Sequence, residues 1–482
     1  MPHVRLLAAA VLLAVLPFLG TLGHGFTFDD ALNLANPLVR EHRFGALATK
    51  PFHAGADVRV ETGAWRPLTS ATFALNHAIS RERPLLWHAT NVLLHAGATA
   101  ALFLFALTLL GSPPAAFVAA ALFAVHPAHA EVVANVSNRT ESLHALLFLS
   151  ALTAYLRWRE GARGGLAALP LLAAALLSKE TAVTFLAVAA AVEGSGPRRG
   201  GAVRRLGAVA AVTLAYLLAR RLVLGSLAAS AARVTLYENP VVASSGLDRV
   251  ATALGVFARG AKLLVWPQPL TPDYGYAHTV PGFTWAALAG GLLLLAGIAA
   301  LLLAARRRSW TLVPLAILLV PWLLVSNLAF PIGTIFGERL LYLPTAGFVL
   351  LVAHRLRMRA AIGALLLAGA AWSAWAAAAW RDDFTLFSRA EAAAPDSVRV
   401  LVNLGGELAM RGDLPGAERR LRRAVALAPD LAAARINLAA VLLSRGEVEE
   451  AAREARRALE LDPGSPVARR LLERATAAAT RP

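Results

Sequence analysis

The chain carries one hydrophobic run after another, most of them near the length a helix needs to cross a hydrocarbon core, about 20 residues. Such runs fall at 5–22, 87–110, 115–132, 141–157, 165–178, 180–193, 203–224, 283–305, 310–328, 340–354 and 360–380. With 57% apolar residues in a chain of 482, this much hydrophobic surface exceeds what a water-soluble fold of that size buries. Lipid is therefore the expected solvent. Backbone in lipid must satisfy its own hydrogen bonds, and runs of this length do so as helices. The expected fold class is all-α, a polytopic membrane helical bundle of about eleven transmembrane helices. The segment 249–266 is apolar but short, carries Arg249, Arg259 and Lys262, and ends at Trp266-Pro267, so it reads as interfacial or re-entrant. Residues 1–20 alone would pass for a signal peptide, but the spans that follow make them a first transmembrane helix.

The net charge of +17 sits in short clusters between the apolar runs. Four of them, Arg157 with Arg159 and Arg163, Arg198 with Arg199, Arg204 and Arg205, Arg306 to Arg308, and Arg355 with Arg357 and Arg359, fall on one side of an eleven-span chain. By the positive-inside rule that side is cytoplasmic. The N-terminus then lies inside, while the long loop 23–86 and everything after Trp380 lie outside. Clusters of this kind belong to membrane loops, and no nucleic-acid partner is expected. Three lysines stand against 44 arginines, a usage that fits a GC-rich bacterial genome and hence the inner (cell) membrane. There is no cysteine, so disulfide and thiol-metal chemistry are excluded.

Past residue 382 the apolar runs stop and a period of 34 begins. Asn403-Leu404 recurs as Asn437-Leu438, Gly412 as Gly446, Ala417 as Ala451, Ala424 as Ala458, and Leu427-x-Pro429 as Leu461-x-Pro463. This is the tetratricopeptide (TPR) pattern, in which small residues let paired helices approach and Gly and Pro punctuate the repeat. Residues 383–396 read as the second helix of a partial repeat and 465–478 as a cap. The chain thus divides into a membrane domain, 1–382, and a TPR domain of about two and a half repeats, 383–482. Such an array binds peptides or partner proteins.

Several polar constellations interrupt the apolar background. Phe28-Asp29-Asp30 follows the first helix, and a carboxylate at the membrane surface suits a general base, although a pair there also suits a helix cap. His126-Pro127-Ala128-His129-Ala130-Glu131, followed by Asn138-Arg139, puts ionisable groups at membrane depth, where they line a pathway or pair with one another. A His-x-x-His pair without a clear third ligand makes a metal unexpected. Arg139 has the chemistry to hold a phosphate in bidentate fashion. Ser178-Lys179-Glu180 reads either as a structural pair at a helix turn or as a second phosphate contact, and Gly337-Glu338-Arg339 as a charge pair at a helix mouth. The loop Pro267 to Pro281, with Asp273, Tyr274, Tyr276 and His278, could floor a sugar site. The sequons at Asn135 and Asn138 lie too close to the membrane to be more than chance matches.

In this order the segments resemble, nearly end to end, the transmembrane-and-TPR O-mannosyltransferases of the glycosyltransferase-C (GT-C) superfamily. The resemblance rests on Phe28-Asp29-Asp30, Trp65-Arg66-Pro67-Leu68-Thr69, Trp87-His88-Ala89-Thr90-Asn91, and His126-Pro127-x-His129-x-Glu131 with Asn138-Arg139. It continues through Leu177-Ser178-Lys179-Glu180, Trp266-Pro267 to Asp273-Tyr274, and Glu338-Arg339-Leu340-Leu341-Tyr342-Leu343-Pro344, and closes with the TPR tail. It implies a GT-C fold, a polyprenyl-phosphate sugar donor, no further cofactor or metal, and inverting transfer, most simply of mannose, to Ser or Thr hydroxyls of secreted or envelope proteins. Carried over by position, Asp29 or Asp30 is the base. Arg139 holds the donor phosphate, and His126, Glu131, Lys179, Arg66, Glu338 and Arg339 form the substrate-binding shell. The same donor chemistry on a lipid or cell-wall glycan is the alternative, as is a TPR scaffold without activity.

Overall fold

A computed structural model describes residues 2–54, 63–226, 234, 236–275, 279–355 and 359–480. Tyr276, His278 and Arg357 lie outside them. Among the described residues every regular element is a helix.

Five helical stretches are long and apolar enough to cross a membrane by themselves: His3–Gly23, Pro84–Leu110, Ala202–Leu224, Trp285–Arg306 and Ala361–Arg381. A sixth crossing arises if Pro113–Ala124 and Pro127–Ala134 act together across a 55° bend. The bend falls at His126-Pro127, because proline has no N–H to continue the ladder and its ring strikes the preceding turn. The remaining expected spans are shorter or charged at the ends. Leu312–Leu324 has 13 residues and Tyr342–Ala353 has 12, and Ala168–Ser178 gives way to a 3₁₀ turn, Glu180–Thr184, at Lys179. The 249–266 segment is a single helix, Gly246–Val265, without the break of a re-entrant hairpin. It lies tightly along Trp285–Arg306, where a Cβ on Gly290 would stand 1.9 Å from the Leu254 carbonyl oxygen.

Small residues govern the bundle's packing. Ala98, Ala101 and Ala106 of Pro84–Leu110 and Ala145 and Ala151 of Arg139–Arg159 are buried in one core, where short side chains let the helix backbones close up as membrane helices require.

The two ends of the bundle differ in chemistry. At one end the arginine-rich loops interlock. Arg159 donates to the carbonyls of Ser195 and Pro197, Arg199 pairs with Glu160 at 3.0 Å, Arg308 donates to Gly196, and Trp310 packs on His354. The opposite end holds Phe28 to Asn36, the 130–139 turns, the 266–275 loop and the helical tail.

That tail comprises Asp383–Ala393, Val398–Met410, Leu414–Leu427, Ala432–Ser444, Val448–Leu461 and Pro466–Ala479. Gly412 and Gly446, at φ +86° and +81°, make its left-handed turns, and Ala417, Ala424, Ala451 and Ala458 are buried where the helices cross. It is docked on the bundle, since Phe18, Val92 and Trp380 share one apolar core with Leu386, Phe387, Val400 and Leu404.

Candidate active site

The paired aspartates separate in space and in role. Asp30 opens the helix Asp30–Ala35 and is fully buried. Its Oδ2 accepts from the Thr27 amide at 3.1 Å and its Oδ1 from the Ser137 amide at 2.7 Å. Asn135 donates to the Thr27 carbonyl at 3.1 Å and Asn33 to the Ser137 hydroxyl at 2.7 Å, so Asp30 sits in a closed knot joining two turns. Burial pushes its carboxyl up to about 7 against the pull of these donors. Asn135 itself is 1% exposed, with no room for a glycan.

Asp29 is exposed at the surface, with protein crowding around it. Crowding raises its carboxyl, while Arg339 and Arg399 pull it down and Glu131 pushes it up. The preceding residue aims it. Phe28 adopts φ +53°, a left-handed conformation rare for an aromatic residue, and is held there by its amide donating to Asp383 Oδ1 at 2.7 Å and by Phe387, ring to ring at 5.8 Å.

Around Asp29 the charges form a chain. Glu131, 2% exposed, accepts from the Arg339 amide at 2.9 Å, pairs with the Arg339 guanidinium, and takes a longer contact from Asn138 at 3.4 Å. Glu338 turns the other way. Its Oε1 accepts from the Thr271 amide at 2.8 Å and from the Tyr274 hydroxyl at 2.6 Å. Burial and the nearby Glu131 push the Glu338 carboxyl well above the ordinary carboxyl range. The adjacent pair thus diverges, with Arg339 facing Glu131 and Glu338 tying down the 267–275 loop.

Arg399, from the tail, completes the chain. Its guanidinium lies 3.8 Å from Asp273, 3.7 Å from Glu238 and 6.0 Å from the Phe28 ring. Ser397 donates to Asp273 Oδ2 at 2.6 Å and fixes the helix that carries Arg399. Nothing in the repeat pattern marks this arginine, and only the docking of the tail brings it here.

Other expected site residues stand apart. Arg139 has no exposed surface. Its Nε donates to Asn91 at 2.9 Å, Nη1 to Thr72 and Nη2 to the Trp87 carbonyl at 3.0 Å, with the guanidinium over the Phe73 ring at 4.8 Å. It braces three helices and leaves no face for a ligand. Lys179 pairs with Glu141, and Arg66 grips Glu180 with two hydrogen bonds of 3.0 and 2.6 Å. The first pair is buried and the second half-buried, side by side through the adjacent Lys179 and Glu180. His126 reaches the Leu264 carbonyl at 3.1 Å, and its Nδ1 accepts the Ala128 amide. Among the described residues no three His, Asp or Glu side chains are placed to share a metal ion.

Among the described residues, fold and site define an all-helical membrane protein in which a docked repeat array brings Arg399, as the bundle brings Arg339, within electrostatic reach of an exposed carboxylate, Asp29. The tetratricopeptide repeat family matches residues 408–475. Protein O-mannosyl-transferase Tmtc1 of Drosophila melanogaster is 28% identical across 86% of this chain and 60% of its own length. A protein O-mannosyl-transferase of Caenorhabditis elegans is 28% identical across 86% of this chain and 62% of its own. Tmtc2 of Drosophila melanogaster reaches 40% identity over a shorter stretch, 37% of this chain and 20% of its own length. The chain is a relative of the transmembrane-and-TPR O-mannosyltransferases. It spans about three fifths of the length of the first two relatives.

Proposed function

We propose that this protein is a membrane glycosyltransferase moving a sugar, most simply mannose, from a polyprenyl-phosphate donor to Ser or Thr hydroxyls of secreted or envelope proteins. The observation that carries the reading is Asp29, an exposed carboxylate whose charge is favoured by both Arg339 and Arg399. Similarity to protein O-mannosyl-transferases over most of the chain supports it.

Asp29 takes the acceptor's proton as the hydroxyl oxygen attacks C1 of the sugar from the side opposite the phosphate. The C1–O bond breaks and its electron pair leaves with the lipid phosphate. Arg339 and Arg399 stabilise the negative charge that grows on that phosphate. Glu131 orients Arg339, and Asp30 holds the turn behind the base. Inversion at C1 follows from attack opposite the leaving group.

For the topology, we read a GT-C-type bundle of about eleven crossings, with the shorter apolar helices completing those that five or six helices begin. The interlocked arginine loops then face the cytoplasm of a bacterial cell membrane, and the site and TPR array face outward. The deciding experiment supplies membranes with polyprenyl-phosphate mannose and a Ser/Thr-rich peptide. Asp29→Asn should insert normally and transfer no sugar, and undiminished transfer would remove the assignment.

A further inference from the structure

Beside the ion cluster lies a groove of about 560 Å³, open along one side and walled by the end of Gly246–Val265, the 268–272 loop, Ala361–Arg381 and Asp383–Ala393. Its apolar wall is tryptophan-rich. Trp266 and Trp375 are 56% and 57% exposed, and Trp372 meets Trp266 edge to face at 5.5 Å. Indoles gathered this way mark the level where lipid headgroups meet acyl chains. Two cations, Lys262 and Arg389, stand exposed on the rim. Arg389 donates to the Trp375 carbonyl at 3.0 Å and rests over that ring, and among the described residues neither cation has a carboxylate partner.

The inner end of the groove meets the candidate active site through single residues. Ala130 and Glu338 line the groove, while their chain neighbours Glu131 and Arg339 pair with each other beside Asp29. Glu338 is held on the loop by Thr271 and Tyr274. A second groove, of about 630 Å³ between Gly246–Val265 and Trp285–Arg306, is walled by Leu247, Val250, Phe283 and similar residues and has no cation. It can take acyl chains but offers nothing to a phosphate.

We propose that the tryptophan groove holds an isoprenoid monophosphate, the chain against Trp266, Trp372 and Trp375 and the phosphate between Lys262 and Arg389. This rests on the transferase reading and gives its donor an entry site, from which the headgroup passes inward to Arg339 and Arg399 for transfer. Two unpaired cations beside an apolar trough complement a singly or doubly charged headgroup on a long hydrocarbon, and the trough's inner end delivers that headgroup toward Asp29.

The test uses the full chain in nanodiscs of zwitterionic lipid and a benzophenone-bearing farnesyl monophosphate as photoprobe. Saturable labelling should map to segments 262–272 and 372–393, and undecaprenyl phosphate should compete where undecaprenol and phosphatidylglycerol do not. Lys262→Gln with Arg389→Gln should weaken labelling about ten-fold or more, and Lys262→Arg with Arg389→Lys should restore it. Labelling confined to the purely apolar groove, equal competition by undecaprenol or phosphatidylglycerol, or undiminished labelling of the glutamine variant would each overturn the assignment. Asp29→Asn should label as the wild type does. If that variant still transferred sugar, the catalytic reading would fail while the labelling result stood by itself.

Discussion

At the residue scale, neighbouring side chains of the same type do opposite work. Asp30 spends both oxygens on backbone amides, so Asp30→Asn turns one acceptor into a donor facing an N–H. The loss should be about 1–3 kcal/mol of stability, read as a lower melting temperature in detergent, with transfer falling only in proportion to the folded fraction. The same residue predicts a pH effect. Its folded carboxyl is raised to about 7 from an ordinary value of 3.8, chiefly by burial. Its contribution is therefore fully present below the unfolded value and is lost as pH rises through the folded one. Between about pH 4 and about pH 8 the wild type should lose melting temperature that Asp30→Asn, lacking the titration, does not. Arg139 belongs with Asp30. Arg139→Met should leave the Asn91, Thr72 and Trp87 acceptors unpaired and cost about 3 kcal/mol or more of stability, while labelling by the farnesyl probe in the surviving folded protein stays unchanged. Sequence alone gave both residues a chemical reading because an ionisable group at membrane depth looks functional. Whether its partners are protein groups or a ligand depends on contacts from other helices, which no local pattern carries.

At the scale of elements, the first tail helices behave as part of the site. Asp383–Ala393 supplies Asp383 and Phe387 to the strained Phe28, and Val398–Met410 supplies Arg399. Because Arg399 pulls the Asp29 carboxyl down, Arg399→Gln should move the acid limb of the pH profile for transfer upward and raise the KM for the donor. Arg399→Lys should largely restore the acid limb, since the charge remains. A limb unmoved by the glutamine change would reduce Arg399 to a docking contact with Asp273. The helical architecture was legible: the apolar runs mark helices, five or six of them long and apolar enough to cross a membrane, the 34-residue period marks the tail, and helices Asp383–Ala393 and Pro466–Ala479 fall where the partial repeat and the cap were expected. The extent of each helix was less legible. The bend at Pro127 and the break at Lys179 turn apolar runs of nearly spanning length into shorter helices, and apolar composition alone does not show where a helix stops. Arg399 was out of reach, because its place depends on how two separately readable domains dock.

At the scale of the whole molecule, that docking is a continuation of the core. Leu386, Phe387, Val400 and Leu404 of the tail are buried with Phe18, Val92, Ala130 and Trp380 of the bundle, and the Gly25 amide donates to the Arg381 carbonyl at 3.0 Å across the junction. Asp382 caps the next helix through the Thr385 amide at 2.8 Å, so no flexible linker separates the parts. Each large apolar side chain in this seam stabilises the pair by about 1.5–3 kcal/mol relative to exposure. A chain ending after Asp382 loses that core, the support of Phe28 and the Arg399 charge together. It should melt earlier and transfer no sugar even to a short unstructured peptide that needs no repeat surface for binding. A chain ending after Ser444 keeps Asp383–Ala393 through Ala432–Ser444 and loses only the last two helices, whose contacts lie within the array. Repeat arrays lose stability roughly unit by unit, so this chain should keep transfer to the same peptide within about three-fold of the full chain, while discrimination among folded protein acceptors falls. A tail that serves only to choose acceptors predicts a different pair of results. The Asp382 truncation would then transfer to the short peptide as well as the full chain does, and that rate, measured beside the folded fraction, decides between a tail that selects the acceptor and one that also builds the site.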